Sequence, residues 1–281
     1  MSLKSLTVHT ISLKGKRKHN EDRIKYINGH PQNNQHVFFY AHVLDGHGGS
    51  EIVDFLDETI SKYFINSKAP YPTNDSDYHS YIRNVFEVIH ATLKNIPESY
   101  SMGSAALIFL LFRIPVGNKP YQWHYMFVNL GDCRAVKCNK YNIAVPLTLD
   151  HKPFQFTEFK RIQSQGGKVF QTPGDDCRIS GLSLSRTFGD LECPYIEKSP
   201  DIFQYSHEEG DKFIILACDG LWDVMNNQSA VNCVLNELDY MKTFYNIKDN
   251  TNLSFHLANS AISRGSYDNV SVILILFDQD E

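Results

Sequence analysis

The sequence predicts an α+β domain in which amphipathic helices are inserted among many antiparallel strands. Three observations carry this. Short runs rich in β-branched and aromatic residues, such as Val37–Leu44, Ala105–Arg113 and Phe213–Ala217, recur along the chain between turns rich in Gly, Pro and Asn. Longer segments between them place apolar residues at three- and four-residue spacing, the period of a helix with one buried face. No Pro/Ser/Gly-rich linker separates two halves, so residues 1–281 are read as one domain.

Taken in order, Ser5–Leu13 alternates as a strand. The loop Lys14-Gly15-Lys16-Arg17-Lys18-His19-Asn20-Glu21-Asp22 then reverses from basic to acidic, which a plain solvated turn has no need to do. Val37–Leu44 reads as a buried strand that stops at Asp45-Gly46-His47-Gly48-Gly49. A helix is expected over Ser50–Asn66 with Ser50 as its N-cap, and another over Asp77–Ile96, each laying an apolar face on a sheet. Strands at Ala105–Arg113, His124–Leu130, Ala135–Lys140 and Ile143–Leu149 suggest an antiparallel meander. Phe156–Gln165 is a short helix closed by Gly166-Gly167, and the stretch that follows, around 166–201, reads as an irregular flap. Phe213–Ala217 is a strand broken at Asp219-Gly220. Helices at Gln228–Asp239 and Leu253–Arg264 and a closing strand at Ser271–Phe277 complete the chain.

Composition excludes several classes. Hydrophobic residues make up 42% and charged residues 21%, with 16 Gly and 11 Pro, which is neither a disordered nor a collagen-like chain. A net charge of −5 argues against sequence-independent attraction to nucleic acid or to an anionic membrane. The six cysteines form no C-x-x-C pair, which fits a reducing compartment. The N-terminus lacks a signal-peptide apolar region, Ser2 stands where myristoylation needs glycine, and the longest apolar run, Ala105–Phe112, is too short to span a bilayer. The expectation is a soluble, cytoplasmic monomer, with the nucleus also open to it.

Several acids stand at the ends of apolar strands: Asp45, Asp132, Asp219 and Asp268. Carboxylates there are partly desolvated, and a convergent set repels itself unless a cation sits among them. Oxygen donors without a His/Cys cluster select a hard ion, Mg²⁺ or Mn²⁺. In Asp45-Gly46-His47-Gly48-Gly49 the glycines allow a close backbone approach, so the Gly46 carbonyl can reach a metal, with His47 beside it to move a proton. In Asp219-Gly220-Leu221-Trp222-Asp223 the two acids are spaced to face one point across a turn. Each motif taken singly is also compatible with an acid capping a turn or a histidine exposed in a loop.

The combination is more specific. Gly15–Asp22, Asp45–Gly49, Gly131-Asp132-Cys133-Arg134, Asp150-His151-Lys152-Pro153, Ser185-Arg186-Thr187-Phe188-Gly189-Asp190, Ala217–Asp223 and Ser266-Tyr267-Asp268-Asn269 follow one another in this order. In kind, order and separation they resemble the motifs of the protein phosphatase 2C family, the metal-dependent serine/threonine phosphatases, from about Leu6 to Phe277. The resemblance implies a sandwich of two antiparallel β-sheets flanked by α-helices. It implies that Asp45 bridges two Mg²⁺ or Mn²⁺ ions, that the Gly46 carbonyl, Asp219 and Asp268 are direct ligands, and that Glu21 and Asp22 hold the second ion largely through water. Asp132 and Asp223, with Asp219, match residues that bind a weaker third ion in some members. The implied reaction is in-line attack of a metal-activated water on a phosphoserine or phosphothreonine of a protein substrate, without a covalent enzyme intermediate. Arg17 matches the phosphate-binding arginine and His47 the general acid. Arg186 is read as either a substrate contact or a structural ion pair, Trp222 as core, and His151 as a loop anchor.

Three other readings fit the sequence less well. A pseudophosphatase would lack ligands that are present here. A cysteine-dependent phosphatase needs a C-x-x-x-x-x-R loop, which follows none of the six cysteines. A two-metal nuclease would carry a basic stripe that this chain does not have.

Overall fold

The computed structural model describes residues 5–29, 37–65, 70, 76–116, 119–171, 177–244 and 252–277. Two antiparallel sheets stack face to face. In the first, β1 (Leu6–Leu13), β13 (Val270–Phe277), β12 (Phe213–Ala217), β6 (Arg134–Cys138) and β7 (Ala144–Pro146) lie in that spatial order. In the second the order is β11 (Asp201–Ser206), β5 (Lys119–Leu130), β4 (Gly103–Val116), β3 (Val37–His47) and β2 (Asp22–Asn28), with β10 (Phe188–Gly189) added beside the start of β4. A small ribbon pairs β8 (Phe170–Gln171) with β9 (Cys177–Arg178).

Strand alternation sends side chains to three cores. Phe39, Ala41, Val43, Leu107, Phe109 and Phe127 from one sheet meet Ile214, Leu216, Ile273 and Ile275 from the other. The opposite face of the second sheet, with Tyr40, Leu44, Ile108 and Leu110, is covered by α1 (Glu51–Thr59), α2 (Ser61–Phe64) and α3 (Ser76–Leu93). The outer face of the first sheet, with Ile215, Val272 and Leu274, is covered by α6 (Asn227–Phe244) and α7 (Leu253–Ser263). Each fully buried Phe or Leu of these layers contributes about 1.5–3 kcal/mol relative to an exposed one. Among the described residues no helix is long and apolar enough to cross a membrane.

Four details differ from the sequence reading, each for a local reason. The strand expected to stop at Leu44 continues through Asp45, Gly46 and His47, because these residues stay paired with Ala105, Ser104 and Gly103 of β4. The supposed meander is split between the sheets: β4 and β5 form a hairpin, but the chain then crosses at Gly131–Cys133, and β6 pairs with β12 instead. The first helix breaks at Ile60, where the Thr59 hydroxyl donates to the Phe55 carbonyl at 2.6 Å, a back-bond that bends helices. Ser50 stands at the N-cap but makes no side-chain cap bond. Asn66 lies outside the described residues, as does the middle of the flap, 172–176.

Candidate metal centre and active site

Side-chain parity decides which acids meet. On β3, Phe39, Ala41 and Val43 point between the sheets, so Asp45 and His47 continue that series past the apolar run. On β2, Ile24 points the same way and Asp22 shares its parity; register places Asp22 opposite Asp45. On β12 the inward series Ile214, Leu216 leads to Cys218, and Asp219 then opens the short helix α5 (Asp219–Trp222). Asp132 sits in the crossing that carries the chain from one sheet to the other. One end of the inter-sheet core is therefore lined with carboxylates. Ligand oxygens of Asp45, Asp132 and Asp219 lie within 4.8 Å of one another, and so do the ligand atoms of Asp22, Asp45 and Cys218.

These residues floor a cleft of about 530 Å³, whose walls include Arg17, Glu21, Gly46, His47, Ala105, Asp268 and, from the flap, Arg178 and Leu182–Leu184. Gly46 has no room for a side chain: a Cβ would lie 2.5 Å from the Glu21 carbonyl oxygen and 3.0 Å from Val53. The loop 14–21 is stapled over the cleft by Asn269. Its amide donates to the carbonyls of Lys14 (2.8 Å) and His19 (2.9 Å), and its oxygen accepts from the Glu21 N–H (2.8 Å). Arg17 is thereby brought to Asp268, 2.6 Å away. His47 Nε2 lies 2.7 Å from Asp190 Oδ2.

The electrostatics are those of a centre built for cations. Burial, together with the negative charge of Asp268, pushes Asp22 up to about 6. Burial and then the charges of Asp219, Asp22, Asp132 and Asp268 push Asp45 well above the carboxylate range, and burial and Asp132 do the same to Asp219. Asp22 Oδ2 is buried with no hydrogen-bond partner, a lone pair set that a cation or its bound water would satisfy. Among the described residues, the ammonium in contact with these acids belongs to Lys152, 2.5 Å from Asp132 and 3.6 Å from Asp219. Burial opposes its charge, but the two carboxylates outweigh burial and hold it protonated. One monovalent cation does not balance three carboxylates. Burial and the same acids hold Cys218 as a thiol, leaving oxygen as the donor set, so the residues present fit a hard divalent ion.

Of the expected site residues, Arg17, Glu21, Asp45, Gly46, His47, Asp132, Asp219 and Asp268 line the cleft, and Asp22 is buried beneath it against Asp45. Asp223 does not line it: its side chain is exposed at the end of α5, near enough to act on Asp219 and Lys152 only through its charge. Lys152, Asn269 and Asp190 stood inside motifs read from the sequence, yet their roles depend on partners at other places in the chain. His151 anchors a loop, accepting from the Gly131 N–H at 3.0 Å and meeting Asp201 at 3.1 Å. Trp222 is core, its indole N–H donating to the Ala217 carbonyl.

Arg186 resolves as structural. It binds Glu158 (2.6 Å), Asp201 (2.9 Å) and the Ser199 carbonyl, away from the cleft walls. Burial opposes ionisation of Glu158, but Arg186 and Arg161 overcome it and pull that carboxyl down to about 2. Arg186→Met is expected to cost on the order of 3 kcal/mol in urea denaturation, the low end for breaking a buried pair because Arg161 still faces Glu158. Unchanged stability with a raised KM for phosphopeptide would instead restore Arg186 to the substrate.

A carboxylate-lined cleft at the open end of a helix-flanked β-sandwich, with an arginine and a histidine at its rim, has the donor set expected of a metal-dependent hydrolase of phosphate esters. The family model for protein phosphatase 2C matches residues 7–270. Protein phosphatase 1L of Bos taurus is 30% identical over 285 aligned positions, covering 98% of this chain and 73% of that one. A PP2C-like domain-containing protein of Acanthamoeba polyphaga mimivirus is 42% identical over 179 positions, 58% of this chain and 99% of that one. Among solved structures, a sex-determining protein of C. elegans superposes with a TM-score of 0.80 at 27% identity, covering 98% of this chain and 65% of that one. A phosphatase of Toxoplasma gondii, at 21% identity and a TM-score of 0.78, shows the same fold over 98% of this chain and 94% of its own. The chain belongs to the protein phosphatase 2C family. It is a metal-dependent protein serine/threonine phosphatase.

Proposed function

We propose that Asp45 would be a ligand common to two Mg²⁺ or Mn²⁺ ions. The supporting observation is that Asp45 alone belongs to both clusters of ligand atoms, one with Asp22 and one with Asp132 and Asp219. Asp219, Asp268 and the Gly46 carbonyl would complete one site and Glu21 and Asp22 the other; a weaker third ion would rest on Asp132 and Asp219, with Asp223 adding only its charge from outside the cleft. Bound there, the ions supply positive charge opposite the phosphoryl oxygens and acidify water for in-line attack at phosphorus.

The chain's own groups do the rest. Arg17, 59% exposed at the cleft mouth and paired there with Asp268, offers a guanidinium fork to the phosphate dianion. His47 donates the proton that the departing serine or threonine oxygen requires. No nucleophilic side chain enters, and no covalent enzyme intermediate forms. The substrates are phosphoserine and phosphothreonine proteins, met by a monomer in the cytoplasm or nucleus; six unpaired cysteines support a reducing compartment.

Hydrolysis of a phosphothreonine peptide is expected to require added Mn²⁺ or Mg²⁺ and to stop in chelator. Full turnover in chelator would remove the metal from the mechanism. Metal binding by calorimetry with no turnover on any phosphopeptide would make the chain a binding module.

A further inference from the structure

We propose that Asp190 is the positioning residue for His47, and that the contact passes through a window left open by Gly103. The proposal rests on the reading of His47 as the proton donor. Gly103 lies between two strands: its register partner on β3 is His47 and its partner on β10 is Gly189. The residue after Gly189 is Asp190, so His47 and Asp190 flank Gly103 from opposite sides. Their side chains meet across it at 2.7 Å, His47 Nε2 to Asp190 Oδ2. A Cβ on Gly103 would stand 2.0 Å from that Oδ2, 2.6 Å from the Phe188 carbonyl oxygen and 2.7 Å from His47 Nε2. Any other residue at this position closes the window.

Asp190 is held as a fixed point. It is 2% exposed and adopts φ of +48°, a conformation uncommon for a non-glycine residue and sustained here by its surroundings. Its N–H donates to the Met102 carbonyl (3.0 Å), and its own carbonyl accepts from Cys193 (3.1 Å). Leu191 and Glu192 donate to Ser99 and Tyr100 in the 3₁₀ turn Pro97–Tyr100, and the Lys198 ammonium donates to the Gly189 carbonyl at 2.5 Å. The segment is thus bonded on both flanks.

The chemical consequence concerns which nitrogen carries the transferable proton. A carboxylate accepts, so it fixes hydrogen on Nε2 and leaves Nδ1 as the nitrogen that serves the leaving group. As the P–O bond breaks, the Nδ1–H bond breaks and an O–H bond forms on the departing serine or threonine oxygen; the imidazolium becomes neutral imidazole, still donating Nε2–H to Asp190. Without the carboxylate the ring is free to turn and either tautomer is allowed.

Asp190→Asn is expected to lower kcat on a phosphothreonine peptide by about tenfold to a hundredfold, with KM within about twofold, and to slow an activated aryl phosphate by less than about threefold. The double variant Asp190→Asn/His47→Gln is expected to be no slower than His47→Gln. Equal slowing on both substrates, or full additivity in the double variant, would overturn the positioning role. His47→Gln slowing both substrates equally would instead remove the proton-donor reading itself, whatever Asp190 does. The wild-type protein gives a check independent of variant folding: long-range ¹H–¹⁵N correlation is expected to show neutral His47 protonated on Nε2, and the opposite tautomer would sink the proposal.

Discussion

Asp45→Asn is expected to abolish turnover and, in the metal-free protein, to raise the melting temperature. Activity falls because the substitution removes the one acid shared by both ligand clusters. The loss should be at least about a hundredfold, the scale seen when a single electrostatic contact to a reacting phosphoryl or acyl group is removed. Stability rises because Asp45 is held among Asp219, Asp22, Asp132 and Asp268, which, after burial itself, push its carboxyl up. Replacing it with a neutral isostere relieves a repulsion that folding imposes and the unfolded chain does not feel. At roughly 2–4 °C per kcal/mol for a chain this large, a gain of a few degrees is readable by calorimetry. Saturating Mn²⁺ should reverse the order, since a ligand that binds only the native state stabilises wild type and gives the variant little. A variant that melts lower than wild type in chelator would show that the acids do not strain the metal-free protein.

The second large effect is on the pH dependence of stability. A carboxyl whose native pKa is raised binds its proton more tightly folded than unfolded, so its contribution is complete below its unfolded value and is lost as pH rises through the native value. Asp22, at about 6, therefore loses its contribution between about pH 4 and about pH 6, and Asp45 and Asp219, raised well above the carboxylate range, lose theirs over a window that starts at the same unfolded value and extends upward. The histidines work oppositely at lower pH. Burial depresses His90 to about 4 and also lowers His42, so the unfolded chain binds more protons and stability climbs with pH until their unfolded value near about 6.5 is passed. Asp57 and Glu158, both near 2, are ionised in either state through this window and add no slope. Lys198, lowered by burial to about 8, adds stability only above that. Above about pH 6.5, where the histidines no longer add stability, the metal-free melting temperature should decline toward about pH 8 as the raised carboxyls of Asp45 and Asp219 ionise, and excess Mg²⁺ should flatten the decline, because cation binding strengthens as the carboxylates lose their protons. A metal-free melting temperature still rising over that interval would contradict the assignment.

Much of the centre was legible in the linear order of residues, for a physical reason. An aspartate that follows a run such as Val43-Leu44 or Ile214–Cys218 inherits the direction of that strand, so its position is a structural statement before any fold is known. Asp22 was less legible from alternation, because β2 carries Arg23, Lys25 and Tyr26 at its solvent-shared positions and was not read as a strand. Only the family resemblance named it; parity with Ile24 is the signal that the residues themselves carry. Arg186 shows the opposite limit. An arginine in a motif loop reads equally as substrate contact or brace, and only the arrival of Glu158 and Asp201, 28 and 15 residues away, separates the two.

The amino-acid sequence by itself determined the strand and helix alternation, the family through the order of its motifs, and the strand-end acids Asp45, Asp132, Asp219 and Asp268, since these follow from periodicity and from local motifs. Tertiary structure decided the rest. The chain leaves one sheet and enters the other at Gly131–Cys133, which carries Asp132 into the centre although the local pattern suggested a continuous meander. It closes Asn269 onto a loop some 250 residues earlier, and it brings Asp190 to His47 across Gly103. These pairings are set by the register between strands and by the missing Cβ of one glycine. Such long-range contacts are governed by packing and chain crossing, which short-range sequence pattern does not encode.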